Sequence, residues 1–161
     1  MTEPQEKFWD LVEDTKIAML VTEDGGRLYS RPMAVKCDRE TGTLLMVTKK
    51  SHPKTGEIIN HPECNLAFSN FDDNVYVSVA GKAELSIDKA KIDKAWSPFA
   101  DAWFDNGKDD PDATVIVFHP HTAEYWDNDI SIVKEGWELA KGILTNKKPD
   151  MGDNKKVYLQ G

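Results

Sequence analysis

Residues 65–87 read NLAFSNFDDNVYVSVAGKAELSI, and they indicate the fold class more clearly than any other part of the chain. Residues 65–71 and 75–87 are rich in the aromatic and β-branched side chains that strands favour, and a polar turn at 72–74 separates them. In the second segment Val75, Val77 and Val79 alternate with smaller or more polar residues. Side chains two positions apart share one face of a strand. The stretch therefore predicts an antiparallel hairpin with one buried face.

Similar segments continue on both sides of this hairpin. Further strands are predicted at residues 17–22, 28–37, 43–48, 114–118 and 123–126. The run Asp24-Gly25-Gly26 is typical of a hairpin turn, because glycine adopts the positive φ that such turns require. Pro32 cannot donate a hydrogen bond to a neighbouring strand, so we expect it at a sheet edge or a bulge.

Helices are predicted around the strands rather than between each pair of them. They cover residues 5–15, 55–60, 88–95 and 98–103, and a final helix carries Val133, Trp137, Ala140 and Leu144 at helical spacing. No glycine-rich phosphate loop follows a strand, which disfavours a Rossmann or P-loop fold. We expect a mainly β protein, an antiparallel barrel of six to seven strands with peripheral helices. Residues 1–147 form the domain and residues 148–161 a loose C-terminal tail.

Composition limits the function classes. The chain has 161 residues and a formal net charge of −8, and an acidic surface repels nucleic-acid backbones. No apolar run approaches the roughly 20 residues of a membrane helix. The charged N-terminus is not followed by an apolar signal segment, so we expect a cytoplasmic protein. The two cysteines, Cys37 and Cys64, are too far apart for a CxxC motif and indicate free thiols.

A basic loop is the first candidate site. Residues 48–54 leave a predicted strand and enter a predicted helix, and they include Thr48, Lys49, Ser51 and Lys54. Hydroxyl groups, ammonium groups and the N–H groups of a helix N-terminus are the donors that a phosphate requires. A solvated loop without a ligand is the equally simple alternative.

A second candidate is the run Ser30-Arg31-Pro32-Met33 on the preceding strand. The proline interrupts regular pairing, so backbone groups there are free to contact a flat heterocycle, and Arg31 is able to offset negative charge. An edge strand with an exposed arginine is the alternative.

Aromatic side chains recur at helical spacing in residues 95–104, and they comprise Trp96, Phe99 and Trp103. Such a stripe is more often a core or a dimer interface than a cofactor site. His119 and His121 lie two residues apart, but the sequence places no third metal ligand beside them, and zinc sites need three or four. No metal site is predicted.

Taken together, these stretches resemble the general stress protein family of the pyridoxamine 5′-phosphate oxidase-like, FMN-binding split-barrel superfamily. The similar pieces are collinear over nearly the whole chain: Ser30-Arg31-Pro32-Met33, Thr48 with Ser51 and Lys54, residues 57–58, 65–69, 76–83, 88–92, 96–111 and 123–127. The resemblance implies a split barrel that forms a homodimer, with two FMN sites in clefts between the subunits.

The resemblance also implies roles for individual residues. Ser30, Arg31, Pro32 and Met33 would line the flavin ring, largely through backbone groups, and Val47, Thr48 and Lys49 would continue that wall. Ser51 and Lys54 would hold the phosphate, with Arg31 as a further cation. Trp103 would be a lid supplied by the partner subunit. Either Lys49 or Arg31 would place a positive charge beside the reduced ring.

The implied function is an FMN-dependent oxidoreductase that takes electrons from a nicotinamide cofactor, NADH or NADPH, and passes them to an acceptor that the sequence does not identify. Two alternatives stay open. One is a flavin carrier or stress sensor on the same fold that does not turn over, since fold alone does not determine function. The other is the same barrel holding a deazaflavin or a haem.

Overall fold

The computed structural model describes residues 1–127 and 154–159. Helices and strands follow in the order α1 Glu3–Thr15, β1 Ile17–Asp24, β2 Arg27–Ala34, β3 Lys36–Asp38, β4 Thr43–Lys49, α2 Pro53–Asn60, β5 Glu63–Asn70, β6 Val75–Ser86, α3 Lys89–Ala95, α4 Pro98–Asp101, β7 Ala113–Asp127 and β8 Asn154–Tyr158. A 3₁₀ turn occupies Gly107–Asp109. The hairpin predicted from residues 65–87 is confirmed as β5 and β6, which pair antiparallel.

The eight strands of the described residues belong to one antiparallel sheet. The strand order is β2-β1-β5-β6-β7-β4-β3, and β8 pairs with β7 outside this path. The two ends of the path, β2 and β3, are consecutive in the chain and are joined by the single residue Val35. The sheet therefore curls until its two edge strands, β2 and β3, are connected by Val35. The result is a barrel that is split between β2 and β3.

Buried and exposed side chains alternate along the strands, and the buried ones form the layers of the core. Leu20, Leu66, Val79 and Ala123 lie opposite one another across β1, β5, β6 and β7, and all four are buried. The apolar face of α1 closes one side of this core with Phe8, Trp9, Leu11 and Val12. Burial of such side chains contributes about 1.5–3 kcal/mol each relative to exposure.

Two prolines lie at an edge or an irregularity of the sheet. Pro32 lies on β2, the edge strand of the path, which confirms the predicted edge position. Pro120 lies on β7 between the segment that pairs with β4 and the segment that pairs with β8. It faces Gly81, where the β6–β7 register shifts. A Cβ at Gly81 would lie 2.2 Å from the carbonyl oxygen of His119, so only glycine allows the strands to approach this closely.

Several predicted boundaries need correction. The predicted strand 28–37 is broken at Val35 into β2 and β3, and the predicted strands 114–118 and 123–126 are parts of the single strand β7. The prediction that residues 148–161 form a loose tail is wrong for Asn154–Tyr158. These residues pair with β7 and bury Val157 against the core. They are able to pair there because residues 122–126 of β7 have no partner from β4. The predicted final helix with Val133, Trp137, Ala140 and Leu144 lies outside the described residues.

Across residues 1–127 and 154–159, every helix is too short or too polar to cross a bilayer.

Candidate functional site

A cavity of about 350 Å³ lies where β2, the junction of β4 with α2, and the α3–α4 segment meet. This volume is within the range of small-molecule sites. The side chains around it divide into a cationic end and an apolar wall. They are Arg31, Pro32, Met33, Ala34, Val47, Thr48, Lys49, His52, Lys54, Ala95, Ser97, Phe99, Ala100, Trp103 and Phe104.

The start of α2 positions the cationic end. His52 is the N-cap residue, and its ring Nδ1 accepts a hydrogen bond from the backbone N–H of Lys54 at 3.2 Å. Pro53 occupies the first turn, where its fixed φ favours the helix and its missing N–H costs nothing. Capping by His52 therefore fixes the backbone of Lys54, and the Lys54 side chain reaches the cavity from the first turn of the helix.

Lys54 is the most unusual side chain at this site. It is only 7% exposed, and within the described part of the chain its ammonium group has neither an ion-pair nor a hydrogen-bond partner. Burial, together with the nearby charge of Arg31, lowers the pKa of Lys54 to about 8. A buried cation is costly to fold, and among the described residues the charge of Glu57 offsets this cost only in part, since the pKa of Lys54 stays lowered.

Arg31 lies beside Lys54 in a network of three side chains. Its Nη2 donates to Oε2 of Glu57 at 2.9 Å, and its Nη1 donates to the hydroxyl of Thr22. The Thr22 hydroxyl in turn donates to the same Glu57 oxygen. Burial opposes ionisation of Glu57, but the hydrogen bond from Thr22 and the charge of Arg31 outweigh it and hold the pKa of Glu57 below its usual value. The carboxylate is therefore ionised at neutral pH.

His52 adds a neutral ring to the cationic end. Its pKa is lowered, first by burial and then by the positive charges of Lys54 and Arg31. The imidazole therefore stays uncharged at neutral pH, and the positive charge here is carried by Lys54 and Arg31.

The remaining wall is apolar and aromatic. Phe104 is buried and tilts against Trp96 with ring centroids 5.2 Å apart, and the Lys49 ammonium lies 5.6 Å from the Phe104 ring centroid. Phe99 and Trp103 also line the cavity, yet they are 67% and 70% exposed. These two side chains, the aromatic rim, leave a flat apolar surface at the mouth of the cavity. The cavity thus combines cationic donors at one end with planar apolar surface at the other.

The cavity brings together all the residues predicted for the site except Ser30 and Ser51. Ser30 is exposed on β2 and does not reach the cavity. Ser51 is also exposed, and its hydroxyl donates to Asp112 at 2.7 Å. The resemblance implies a Trp103 lid from a partner subunit, and the structure places Trp103 at the cavity of its own chain.

Sequence reasoning missed several residues of the wall. Ala34, Ala95, Ser97 and Ala100 carry no chemical signal, and only the fold brings them to the cavity. Phe99 and Phe104 belong to the aromatic stretch for which a core or an interface is the favoured interpretation. Glu57 and Thr22 were also missed as members of the site. A lone acidic residue in an otherwise basic stretch, three positions after Lys54, is the one signal that points to Glu57.

The two histidines near residue 120 do not assemble a metal site. His119 Nε2 lies 3.1 Å from a carboxylate oxygen of Glu84. Among the described residues, no three potential ligands come together as a metal site requires.

Comparison with known proteins relates this architecture to one family. The family model described as pyridoxamine 5′-phosphate oxidase like matches residues 3–150. General stress protein 26 of Bacillus subtilis (strain 168) is 33% identical over 120 residues, 72% of this chain and 83% of that protein. A solved Jannaschia sp. CCS1 structure named as a general stress protein 26 is 31% identical, with a TM-score of 0.79 over 98% of this chain and 99% of that one.

A further solved structure is similar over most of its length. The general stress FMN/FAD binding protein of Xanthomonas citri is 26% identical, with a TM-score of 0.71 over 82% of this chain and 94% of that one. The similarity to these structures confirms the predicted split-barrel fold.

Proposed function

The chain belongs to the pyridoxamine 5′-phosphate oxidase-like family, and on that premise we propose that its cavity binds FMN. One observation carries the proposal: Lys54 is buried at the cavity, and among the described residues its ammonium makes no ion pair or hydrogen bond. A phosphate monoester is the kind of ligand that supplies the missing charge. The flavin named for the Xanthomonas citri relative supplies the planar ring that the apolar wall fits.

Lys54 and Arg31 hold the phosphate in this proposal. Both side chains lie at the cationic end, and hydrogen bonds between charged groups are about twice as strong as neutral ones. Lys54 is nearly enclosed, so a terminal phosphate fits beside it better than the bridging phosphates of FAD. This favours FMN over FAD.

The flavin ring lies against β2 and β4. Pro32, Met33, Val47 and Thr48 provide the surface on these two strands. Because β2 is an edge strand, one side of its backbone is free of sheet hydrogen bonds and is available to the polar edge of a heterocycle. The run Ser30-Arg31-Pro32-Met33 predicts this contact between backbone groups and the ring. In the proposal Arg31, Pro32 and Met33 lie at the ring, and Ser30 does not.

We further propose that the protein is an oxidoreductase that accepts electrons from NADH or NADPH. A bound flavin supplies the redox chemistry, and the protein orients it and adjusts its electrostatic environment. Arg31 is held at the phosphate end by Glu57, which leaves Lys49 as the cation that faces the ring. The aromatic rim leaves the mouth of the cavity accessible to a second planar compound.

A homodimer is the third part of the proposal. The outer face of β1, β5, β6 and β7 includes exposed apolar side chains, among them Met19, Ala67, Tyr76 and Trp126, beside polar ones such as Ser78 and Glu124. Met19 lies opposite Pro32, which lines the cavity. A second copy packed on this face would cover apolar area and reach the edge of the flavin site.

The experiment is reconstitution followed by turnover. Purified protein incubated with FMN and dialysed is expected to retain about one FMN per chain by absorption, and mass spectrometry of the released ligand identifies it. A colourless protein after dialysis contradicts the FMN site. Oxidation of NADH or NADPH by the holoprotein then separates the two function classes: steady turnover supports the oxidoreductase, and binding without turnover supports a flavin carrier or sensor.

A further inference from the structure

We propose that Glu57 is a positioning residue of the phosphate site: through a shared contact with Thr22 it holds Arg31 so that the guanidinium and the Lys54 ammonium converge on one anion. The inference rests on the proposed FMN site. It extends that proposal from the groups that touch the ligand to a group that acts only through another side chain.

The three side chains of this network form a triangle of pairwise hydrogen bonds. Thr22, Arg31 and Glu57 come from β1, β2 and α2, and each contacts the other two. The side chains of Arg31 and Glu57 are only 19% and 12% exposed, so water competes weakly for these contacts. One carboxylate oxygen, Oε2 of Glu57, accepts from both partners.

Glu57 also shares a helix face with Lys54. The two residues are three positions apart on α2, and side chains at that spacing are neighbours on the helix surface. Arg31 uses one N–H on each terminal nitrogen for this network, whereas a guanidinium carries five N–H donors. Donors therefore remain for a ligand, and the side chain that bears them is already fixed before the ligand arrives.

The sign of its charge makes the role of Glu57 testable. A carboxylate beside an anion site weakens anion binding by simple repulsion. At a pH low enough that Lys54 stays protonated with or without the Glu57 charge, a Glu57 that acted through its charge alone would give tighter phosphate binding when neutralised. If it acts by holding Arg31, its neutralisation weakens phosphate binding although the repulsion is gone. The two roles predict opposite changes.

The test compares FMN with riboflavin, which has the same ring and no phosphate. Glu57→Gln is expected to weaken FMN binding by about tenfold and to leave riboflavin binding unchanged, because loss of a charge-assisted contact frees Arg31. Glu57→Gln is also expected to move the alkaline loss of FMN affinity to lower pH, because the Glu57 charge favours the protonated form of Lys54. A loss of packing alone would not move that pH profile.

Glu63→Gln is the matched control, since it removes the same charge from an exposed residue of β5 that pairs with Lys82. Thr22→Val is a second variant that opens the same network, and it is expected to weaken FMN in the same direction by a smaller factor. If Glu57→Gln does not fold, Thr22→Val alone decides the question. FMN affinity that is unchanged or tighter in the folded variants overturns the positioning role. Absence of FMN binding by the unmodified protein overturns the proposed function itself, and the positioning role with it.

Discussion

The Asp112 carboxylate accepts two hydrogen bonds from Ser51, one from the backbone N–H at 3.0 Å and one from the hydroxyl at 2.7 Å. The preceding residue, Lys50, is tied to the same segment, because its N–H donates to the Asp112 carbonyl and its ammonium donates to the Pro111 carbonyl. The loop between β4 and α2 is thus fastened to the segment before β7. Ser51 therefore stabilises the conformation of the loop, whereas Lys54, at the end of the loop, lines the cavity.

Ser51→Ala is therefore expected to change FMN affinity by less than about threefold, because the hydroxyl contacts Asp112 and not the cavity. Calorimetric titration of the variant with FMN measures this directly. A loss as large as that caused by Lys54→Ala would mean that Ser51 turns toward the phosphate when the ligand binds.

FMN affinity should depend on pH through Lys54. The pKa of Lys54 in the free protein is about 8, and a bound phosphate raises it because the ammonium gains an anionic partner. The affinity for FMN is then constant below pH 8. It falls as the pH rises from the pKa of Lys54 in the free protein to the higher pKa of Lys54 in the complex. Titrations between about pH 7 and about pH 9.5 keep the phosphate fully ionised. Riboflavin measured in parallel corrects for titration of the ring, and a flat FMN-to-riboflavin ratio over this range contradicts the assignment.

Lys54 should also make the ligand-free protein less stable. Its pKa is lower in the folded chain than the usual value of 10.5, so the folded state binds the proton less tightly than the unfolded state does. The penalty is complete below pH 8 and disappears as pH rises toward 10.5. Lys54→Met is expected to raise the Tm of the ligand-free protein at neutral pH by roughly 3 °C.

Lys82→Met is the control for that stability measurement, because Lys82 is exposed and its one ion pair among the described residues is with an exposed Glu63. Its Tm should stay close to that of the unmodified protein. Equal Tm values for Lys54→Met and Lys82→Met would show that the buried ammonium costs no stability.

Gly81 should tolerate no side chain. A Cβ there would lie 2.2 Å from the His119 carbonyl oxygen and 2.7 Å from the Phe118 ring, so Gly81→Ala is expected to lower the free energy of unfolding by about 2 kcal/mol or more. Gly56→Ala is the contrasting variant, since a Cβ added to Gly56 in α2 would meet no atom within 4 Å, and alanine there should stabilise the helix by about 0.5–1 kcal/mol. Chemical denaturation of both variants compares the two positions.

Met19→Lys tests the proposed dimer. A charge at the centre of the outer face of β1 should not be tolerated in an interface, so the variant is expected to sediment as a monomer. Ile59→Lys places the same charge on the exposed side of α2 and should leave the dimer intact. A monomeric unmodified protein, or a dimer that survives Met19→Lys, contradicts this interface.

The parts of the fold that sequence predicted well are those that local patterns determine. The alternation of Val75, Val77 and Val79 decides the buried face of β6 without reference to other strands. The break at Val35 has no such local signal, because it comes from the change of partner between β1 and β4. The pairing of β8 with β7 likewise depends on a partner distant in sequence.

The candidate site divides in the same way. Residue type and order identified Arg31, Thr48 and Lys54, since cations and hydroxyls beside a predicted helix start favour phosphate. Sequence spacing does not show which way a loop side chain points, so it could not separate Ser51, whose partner Asp112 lies 61 positions away, from the residues that reach the cavity. Glu57 was missed because its role depends on contacts with two strands that only the folded chain brings together.

Lys54 binds the phosphate of FMN in this proposal, and a paired titration with FMN and riboflavin is the sharpest test of that contact. The unmodified protein is expected to bind FMN at least about tenfold more tightly than riboflavin, and Lys54→Ala to remove most of that difference while leaving riboflavin binding unchanged. Lys50→Ala, which removes the same charge from the same loop outside the cavity, is expected to keep the preference. A Lys54→Ala protein that folds and still prefers FMN as strongly as the unmodified protein would rule out Lys54 as the phosphate ligand.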